Sequence, residues 1–217
     1  MSIKIEDSYL HKGKRKQLIE ELRKKSIPED VLSAMEKVPR HVFLDSAFVN
    51  HAYEDKAFPI GEGQTISHPS TVAVQTSYLK IKKGDKVLEV GTGCGYQTAV
   101  LLEMGAKVFT IERQGKLYDK TKDFLPLMGY HARFFYGDGY KGLERFAPFD
   151  KIIVTAGAPY IPKDLLQQLK EESGILVIPV GEGDTQVMNL IFRKKGMEFE
   201  KQELGNFKFV PLLKDKQ

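Results

Sequence analysis

Residues Val87–Tyr96 read Val-Leu-Glu-Val-Gly-Thr-Gly-Cys-Gly-Tyr, an apolar run with one acid that breaks into alternating glycines. Glycines at 91, 93 and 95 let the backbone pass close to a ligand, because a Cβ there would block the approach or forbid the dihedrals. A strand that delivers Glu89 and then Gly91-Thr92-Gly93 suits an adenosyl cofactor held by backbone and carboxylate. A dinucleotide loop fits poorly. Its third glycine or alanine falls three positions after the second, to seat a helix around a pyrophosphate, and this chain has Tyr96 there.

The elements that must position this loop alternate along the chain. Helical spacing runs over 13–25 through Leu18, Ile19 and Leu22, and Pro28-Glu29-Asp30 opens a second helix that Pro39 closes. The stretch 42–71, with Pro59, Gly61, Gly63 and Pro69, predicts short strands and a long functional loop, overlapped by helix signals over 70–79. Strands are then expected at 86–90, 107–111, 132–136, 151–155 and 174–180, with helices at 96–104, 116–128 and after Pro162. Their continuous apolar runs indicate a mostly parallel, doubly wound α/β sheet covered on both faces. Residues 186–193 and 197–203, around Lys194-Lys195-Gly196, predict a C-terminal antiparallel hairpin.

In such a sheet ligands sit beyond the carboxyl ends of the strands, near the point where strand order reverses. Those ends deliver Glu112, Asp138-Gly139 and Thr155-Ala156-Gly157. Glu112, 21 positions after Gly91, stands where a carboxylate can accept both ribose hydroxyls. Asp138 has two readings, a contact to an adenine amino group or simply the tight turn of Gly137-Asp138-Gly139. Cys94 reads as a small residue packed under the glycine loop, since no histidine is evidently poised to activate it.

Composition bounds the rest. The chain has 217 residues, enough for a single domain over 1–217, with an N-terminal extension at 1–80 and a cofactor-binding core at 81–217. Lys+Arg 33 against Asp+Glu 29 gives +4 without a concentrated basic block, so no nucleic-acid partner is expected. One cysteine excludes an internal disulfide. The charged start, Met1 to Asp7, lacks the apolar run of a leader, and no stretch approaches a membrane span. The expectation is a cytoplasmic monomer with no membrane partner. Four of the five histidines, at 11, 41, 51 and 131, show no ligand spacing, and no metal is expected.

At this point the residues resemble a known family, the protein-L-isoaspartate (D-aspartate) O-methyltransferases, within the Rossmann-like methyltransferases that use S-adenosylmethionine. Val87–Gln97 is similar to that family's cofactor loop, and Ile111-Glu112-Arg113 and Gly137-Asp138-Gly139 resemble its next two cofactor contacts. Pro59-Ile-Gly-Glu-Gly-Gln-Thr-Ile-Ser-His-Pro69 resembles the segment that closes over the cofactor and holds the substrate, and Phe209-Val210-Pro211-Leu212 the closing motif. The resemblance runs from about residue 12 to the end. His68 departs from a glutamine common in the family and Cys94 from a serine.

The resemblance implies methyl transfer from S-adenosylmethionine to the free α-carboxylate of isoaspartyl residues in damaged proteins and peptides. The product ester then closes to a succinimide. It makes Ser67 the residue that donates to the bound carboxylate, whereas on its own spacing Ser67 reads as a loop serine satisfied by backbone. A hydrolase elbow is absent, and His68, its neighbour in an extended segment, faces the other way. Thr65 and Ile66 would complete the cofactor enclosure, and Ile60, Val210 and Leu212 would meet the peptide, by main-chain hydrogen bonds in a strand-addition mode. Two other readings share the core: a nucleic-acid methyltransferase, disfavoured by Thr155-Ala-Gly-Ala-Pro-Tyr160 in place of an Asn-Pro-Pro-Tyr-type segment, and a non-catalytic recognition module.

Overall fold

The computed structural model describes residues 6–217; the start at 1–5, part of the leader argument, lies outside them. Seven strands form one sheet in the order β5-β4-β3-β6-β7-β8-β9. They are β3 (Lys86–Val90), β4 (Lys107–Glu112), β5 (Arg133–Tyr136), β6 (Lys151–Val154), β7 (Ile175–Val180), β8 (Gln186–Arg193) and β9 (Phe199–Phe207). The first five pair in parallel and β8 and β9 antiparallel, with Leu88 opposite both Phe109 and Ile152. The chain steps outward from β3 to β4 and β5, then returns to lay β6 on the other side of β3. The crevice at that reversal lies between the ends of β3 and β6, where the Thr155 amide donates to Val90 O at 3.0 Å.

Side chains alternate across the central strands. Leu88, Val90, Phe109, Ile111, Ile152 and Val154 belong to one buried cluster, and Val87, Val108 and Ile153 to the opposite one. Helices α1 (Tyr9–Lys24), α2 (Glu29–Lys37), α3 (Pro69–Leu79), α4 (Tyr96–Glu103) and α5 (Gly115–Leu127) share a third cluster, built from residues such as Leu22, Leu32, Val72, Val100 and Leu125; the short α6 (Lys163–Gln167) packs Leu165 against the first. The predicted hairpin is present, with β9 running on to Phe207, four residues beyond the turn-to-Glu203 reading, because pairing with β8 continues to Gln186. None of the described helices is long and apolar enough to cross a membrane.

The irregular stretch resolves into two 3₁₀ turns, at Arg40–Phe43 and Ser46–His51, and a small hairpin of β1 (Phe58–Gly61) and β2 (Gln64–Ile66). Its two-residue loop, Glu62-Gly63, has positive φ at both positions (50° and 66°), the turn that matches the twist of flanking strands. The hairpin ends one residue before Ser67, and Pro69 starts α3 at a position whose missing N–H costs nothing. Ser67 is thus held between two regular elements.

Three side chains scattered in sequence meet near the start of the described chain: Asp7, His11 and His41 place possible ligand atoms within 4.8 Å of one another. Their contacts are those of a staple. Arg15 grips both Asp7 oxygens at 3.2 and 2.9 Å, His41 meets Tyr53 OH at 2.7 Å and Glu6 O at 3.1 Å, and the His11 and His41 rings stack at 3.9 Å. Both Asp7 oxygens and both His41 nitrogens are thus engaged by protein partners, which suits packing of this segment better than convergence on one ion.

Candidate active site

A cleft opens beyond the carboxyl ends of β3 and β4. Its floor is the glycine loop. Gly91 has φ 96° and Gly93 φ 54°, so both adopt backbone that side chains rarely take. Thr155 Oγ1 caps the first turn, donating to Gly91 O at 2.6 Å, and a Cβ on Gly91 would collide with that hydroxyl. A Cβ on Gly93 would come 3.2 Å from Ile60 Cδ1 of the hairpin above, so the bare backbone at Gly93 lets the Ile60 side chain close onto the loop. Thr92 turns inward, its hydroxyl 2.6 Å from that of Thr110.

Glu112 ends β4 at the cleft wall and is 5% exposed. Gly93 N donates to its Oε2 and Gln114 N to its Oε1, each at 2.9 Å. Each oxygen keeps a further lone pair, so the carboxylate is fixed in orientation and still able to accept two hydroxyls. Gln97, near the start of α4, lines the same cleft; its Nε2 donates to Thr76 Oγ1 at 3.0 Å, while among the described residues its buried Oε1 has no protein partner. Such an atom is normally satisfied, which fits a ligand carrying a donor at this end.

The hairpin and the closing segment form the roof. Ile60, Thr65, Ile66 and Ser67 line it from one side, Gly139, Val210 and Leu212 from the other. Ser67 is half-buried, and among the described residues its hydroxyl has no protein hydrogen-bond partner; its carbonyl accepts from Arg40 Nη2 at 2.8 Å. The backbone-satisfied loop serine expected from spacing alone is therefore not what is found. Segment 209–212 is pinned on one edge: Gly157 N donates to Val210 O at 2.8 Å and Leu212 N to Gly157 O at 2.7 Å. Strand addition at Val210 is restricted accordingly to the opposite edge, since Gly157 already occupies this one.

Three expected cofactor contacts lie off the cleft wall. Glu89 faces the helix side of β3, wholly buried, where Thr98 Oγ1 donates to it at 2.5 Å. Burial pushes its carboxyl up to about 8, against the opposing Thr98 and Thr110 hydroxyls, so at neutral pH it is an uncharged acid bracing the loop from beneath. Asp138 closes the tight turn, its Oδ1 accepting from Tyr140 N at 2.9 Å. Gly95, φ 87°, seats the loop on α5; a Cβ there would fall 2.8 Å from both Leu125 Cδ1 and Thr121 Cγ2. Cys94 is half-buried, with burial raising its thiol to about 11, which leaves it unreactive at neutral pH. Arg40 and Gln97 were not foreseen, because their partners are remote in sequence or absent.

Because Glu89 takes up a proton on folding, from an ordinary value of 4.5, its contribution is fully present below about 4.5 and declines as pH rises towards 8. Thermal melts should show Glu89→Gln gaining on the wild type steadily from pH 5 to pH 8; parallel curves would remove this role. Gly95→Ala should lower stability by about 1–3 kcal/mol, from overpacking against α5 and a disfavoured dihedral. A urea midpoint equal to wild type would contradict that.

The profile of the protein-L-isoaspartate(D-aspartate) O-methyltransferase family matches residues 13–217. A protein-L-isoaspartate O-methyltransferase from Christiangramia forsetii is 59% identical over 98% of this chain and 100% of its own length. One from Cytophaga hutchinsonii is 59% identical over 96% and 95%. Among solved structures, a protein-L-isoaspartate O-methyltransferase superposes with TM-score 0.82 at 30% identity, over 91% of this chain and 65% of that longer one. A Plasmodium falciparum beta-aspartate methyltransferase in complex with S-adenosyl-L-homocysteine gives 0.78 at 28%, over 93% and 99%. With its Rossmann-like sheet, its glycine loop and a match along nearly its whole length, the chain belongs to the protein-L-isoaspartate (D-aspartate) O-methyltransferase family.

Proposed function

We propose that this chain methylates the free α-carboxylate of L-isoaspartyl residues in damaged proteins and peptides, with S-adenosylmethionine as donor. The observation that carries the assignment of roles is the unpaired Ser67 hydroxyl, set in the same cleft as the glycine loop and Glu112. When bound, S-adenosylmethionine supplies a methyl group on a positively charged sulfur. Glu112 would hold the ribose hydroxyls, Gly91, Thr92 and Gly93 would present backbone to the cofactor, Gln97 Oε1 would take a donor, and Thr65, Ile66 and Gly139 would close the enclosure.

An isoaspartyl α-carboxylate, with an ordinary pKa near 4, is already ionised at neutral pH, so no side chain has to act as a base. The protein's task is alignment and exclusion of water. Ser67 Oγ–H donates to one carboxylate oxygen and thereby turns the other towards the cleft interior; holding such a geometry supplies several kcal/mol. Ile66, Val210 and Leu212 keep water from the anion, and a drier site favours a reaction in which opposite charges cancel. Ile60 and the free edge at Val210 would meet the peptide main chain, which suits a substrate whose sequence must vary. The methyl ester leaves and closes to a succinimide without further help, the following amide nitrogen attacking the ester carbonyl, losing its proton and expelling methanol.

The reading includes a cytoplasmic monomer that uses neither metal, nucleic acid nor membrane. One assay tests the activity: methyl-labelled cofactor is supplied with an isoaspartyl peptide, its normal aspartyl twin and bulk RNA. Base-labile label on the isoaspartyl peptide alone is expected. Stable label on RNA would replace the proposal with a nucleic-acid methyltransferase, and no label anywhere would leave a recognition module.

A further inference from the structure

Arg40 opens the first 3₁₀ turn and is 1% exposed. Among the described residues it makes no ion pair; its partners are three backbone carbonyls. Nε donates to Ala52 O at 2.9 Å, and Nη2 to Lys56 O at 3.2 Å and to Ser67 O at 2.8 Å. The guanidinium carbon also stands 4.9 Å from the centroid of the Tyr96 ring, and Tyr96 lines the cleft where the glycine loop becomes α4. A buried cation without a counter-ion costs several kcal/mol in desolvation. The carbonyls and the ring face offset part of that, and burial still lowers the side chain's affinity for its proton.

The cost falls where the segment carrying Ser67 meets the segment carrying the cofactor loop. Ser67 lies between the end of β2 at Ile66 and the start of α3 at Pro69, and among the described residues the hairpin it follows pairs only with itself. The carbonyl of Ser67 is thus the handle by which this peptide plane is held. A planar fork can reach several carbonyls while lying on an aromatic face, which an ammonium cannot reproduce.

We propose that Arg40 is a positioning residue for methyl transfer: by clamping the Ser67 carbonyl against the start of α4, it sets the direction of the Ser67 hydroxyl relative to the glycine loop. This rests on the reading of Ser67 given above. A misplacement of about 1 Å at a reacting group costs roughly 100-fold in rate, so loosening one peptide plane is sufficient for a large effect.

The test is a double-mutant cycle on turnover of an isoaspartyl peptide, using wild type, Arg40→Lys, Ser67→Ala and the double variant, with S-adenosylhomocysteine affinity measured by calorimetry for each. Arg40→Lys is expected to lower kcat at least about 10-fold with affinity within about threefold. In the Ser67→Ala background the same change should alter kcat by less than about threefold, because the hydroxyl it positions is gone. Arg40→Met, which also removes the charge, should be slower than Arg40→Lys. Unchanged kcat in Arg40→Lys, equal losses in both backgrounds, or a parallel loss of affinity each overturn the proposal, the last by showing a general support of the fold. Ser67→Ala on its own separates the two readings: normal turnover there sinks the role of Ser67, whereas a slow Ser67→Ala beside a fast Arg40→Lys sinks only that of Arg40.

Discussion

Ser67→Ala is expected to lower kcat for an isoaspartyl peptide about 10- to 150-fold, with S-adenosylhomocysteine affinity within about threefold of wild type. The magnitude is that of one hydrogen bond to a charged group, about 1.5–3 kcal/mol, expressed in the rate. The asymmetry between rate and affinity follows from position. Ser67 touches no residue of the glycine loop through its hydroxyl, and its backbone remains tied to Arg40 when the side chain is shortened. Only the hold on the nucleophile is lost. Steady-state kinetics at saturating cofactor, with calorimetry on the same preparation, reads both quantities; equal turnover in the variant would take Ser67 out of the mechanism.

Glu112→Ala should do the reverse. The side chain is expected to accept the ribose hydroxyls, and it also satisfies Gly93 N and Gln114 N at 2.9 Å each. Its removal loses the ligand contacts and leaves two amides at the cleft wall without their acceptor, each worth about 1–3 kcal/mol if unsatisfied. Water in the space left behind offsets part of this. A net loss of about 2–4 kcal/mol in S-adenosylhomocysteine binding is expected, roughly 30- to 1000-fold in Kd. With cofactor in excess, kcat should recover to within about threefold, because Ser67 and the roof are untouched. Glu112→Gln keeps one acceptor and should fall between. Affinity within threefold of wild type in the alanine variant would show that the carboxylate serves the loop and not the ligand.

The contrast between these variants reflects how differently the two residues could be read. Glu112 sits at a strand end a fixed distance after a glycine loop, and both features are local: a continuous apolar run ends, and the next residue emerges at the strand's carboxyl end. Ser67 has no such local signal. Only the resemblance of Pro59–Pro69 to a family segment singled it out, and the unpaired hydroxyl became visible once hairpin, loop and closing segment were seen facing one cleft.

Glu89, Asp138 and Gly95 show what reading along the chain leaves undecided. All three belong to motifs that surround the cofactor, and motif membership does not say which way a side chain points. In β3 the alternation of faces sends Val90 to one side and Glu89 to the other, under the loop against Thr98. Asp138 spends Oδ1 on its own turn at Tyr140. Gly95 is needed for helix packing against Leu125 and Thr121, a contact between elements 26 or more residues apart.

By itself the sequence determined the parallel α/β core, the glycine loop, the strand-end acid and the family, because each is written in local periodicity, in glycine spacing or in contiguous motifs. The tertiary structure alone decided which of those residues share a wall. It turned Glu89 away from the cleft and left Gln97 Oε1 and the Ser67 hydroxyl there without a partner among the described residues. It also joined residues 40, 52, 56 and 67 through one buried guanidinium. The physical reason is that such contacts form between segments whose separation along the chain bears no relation to their distance in space, so no pattern of residue types marks them in advance.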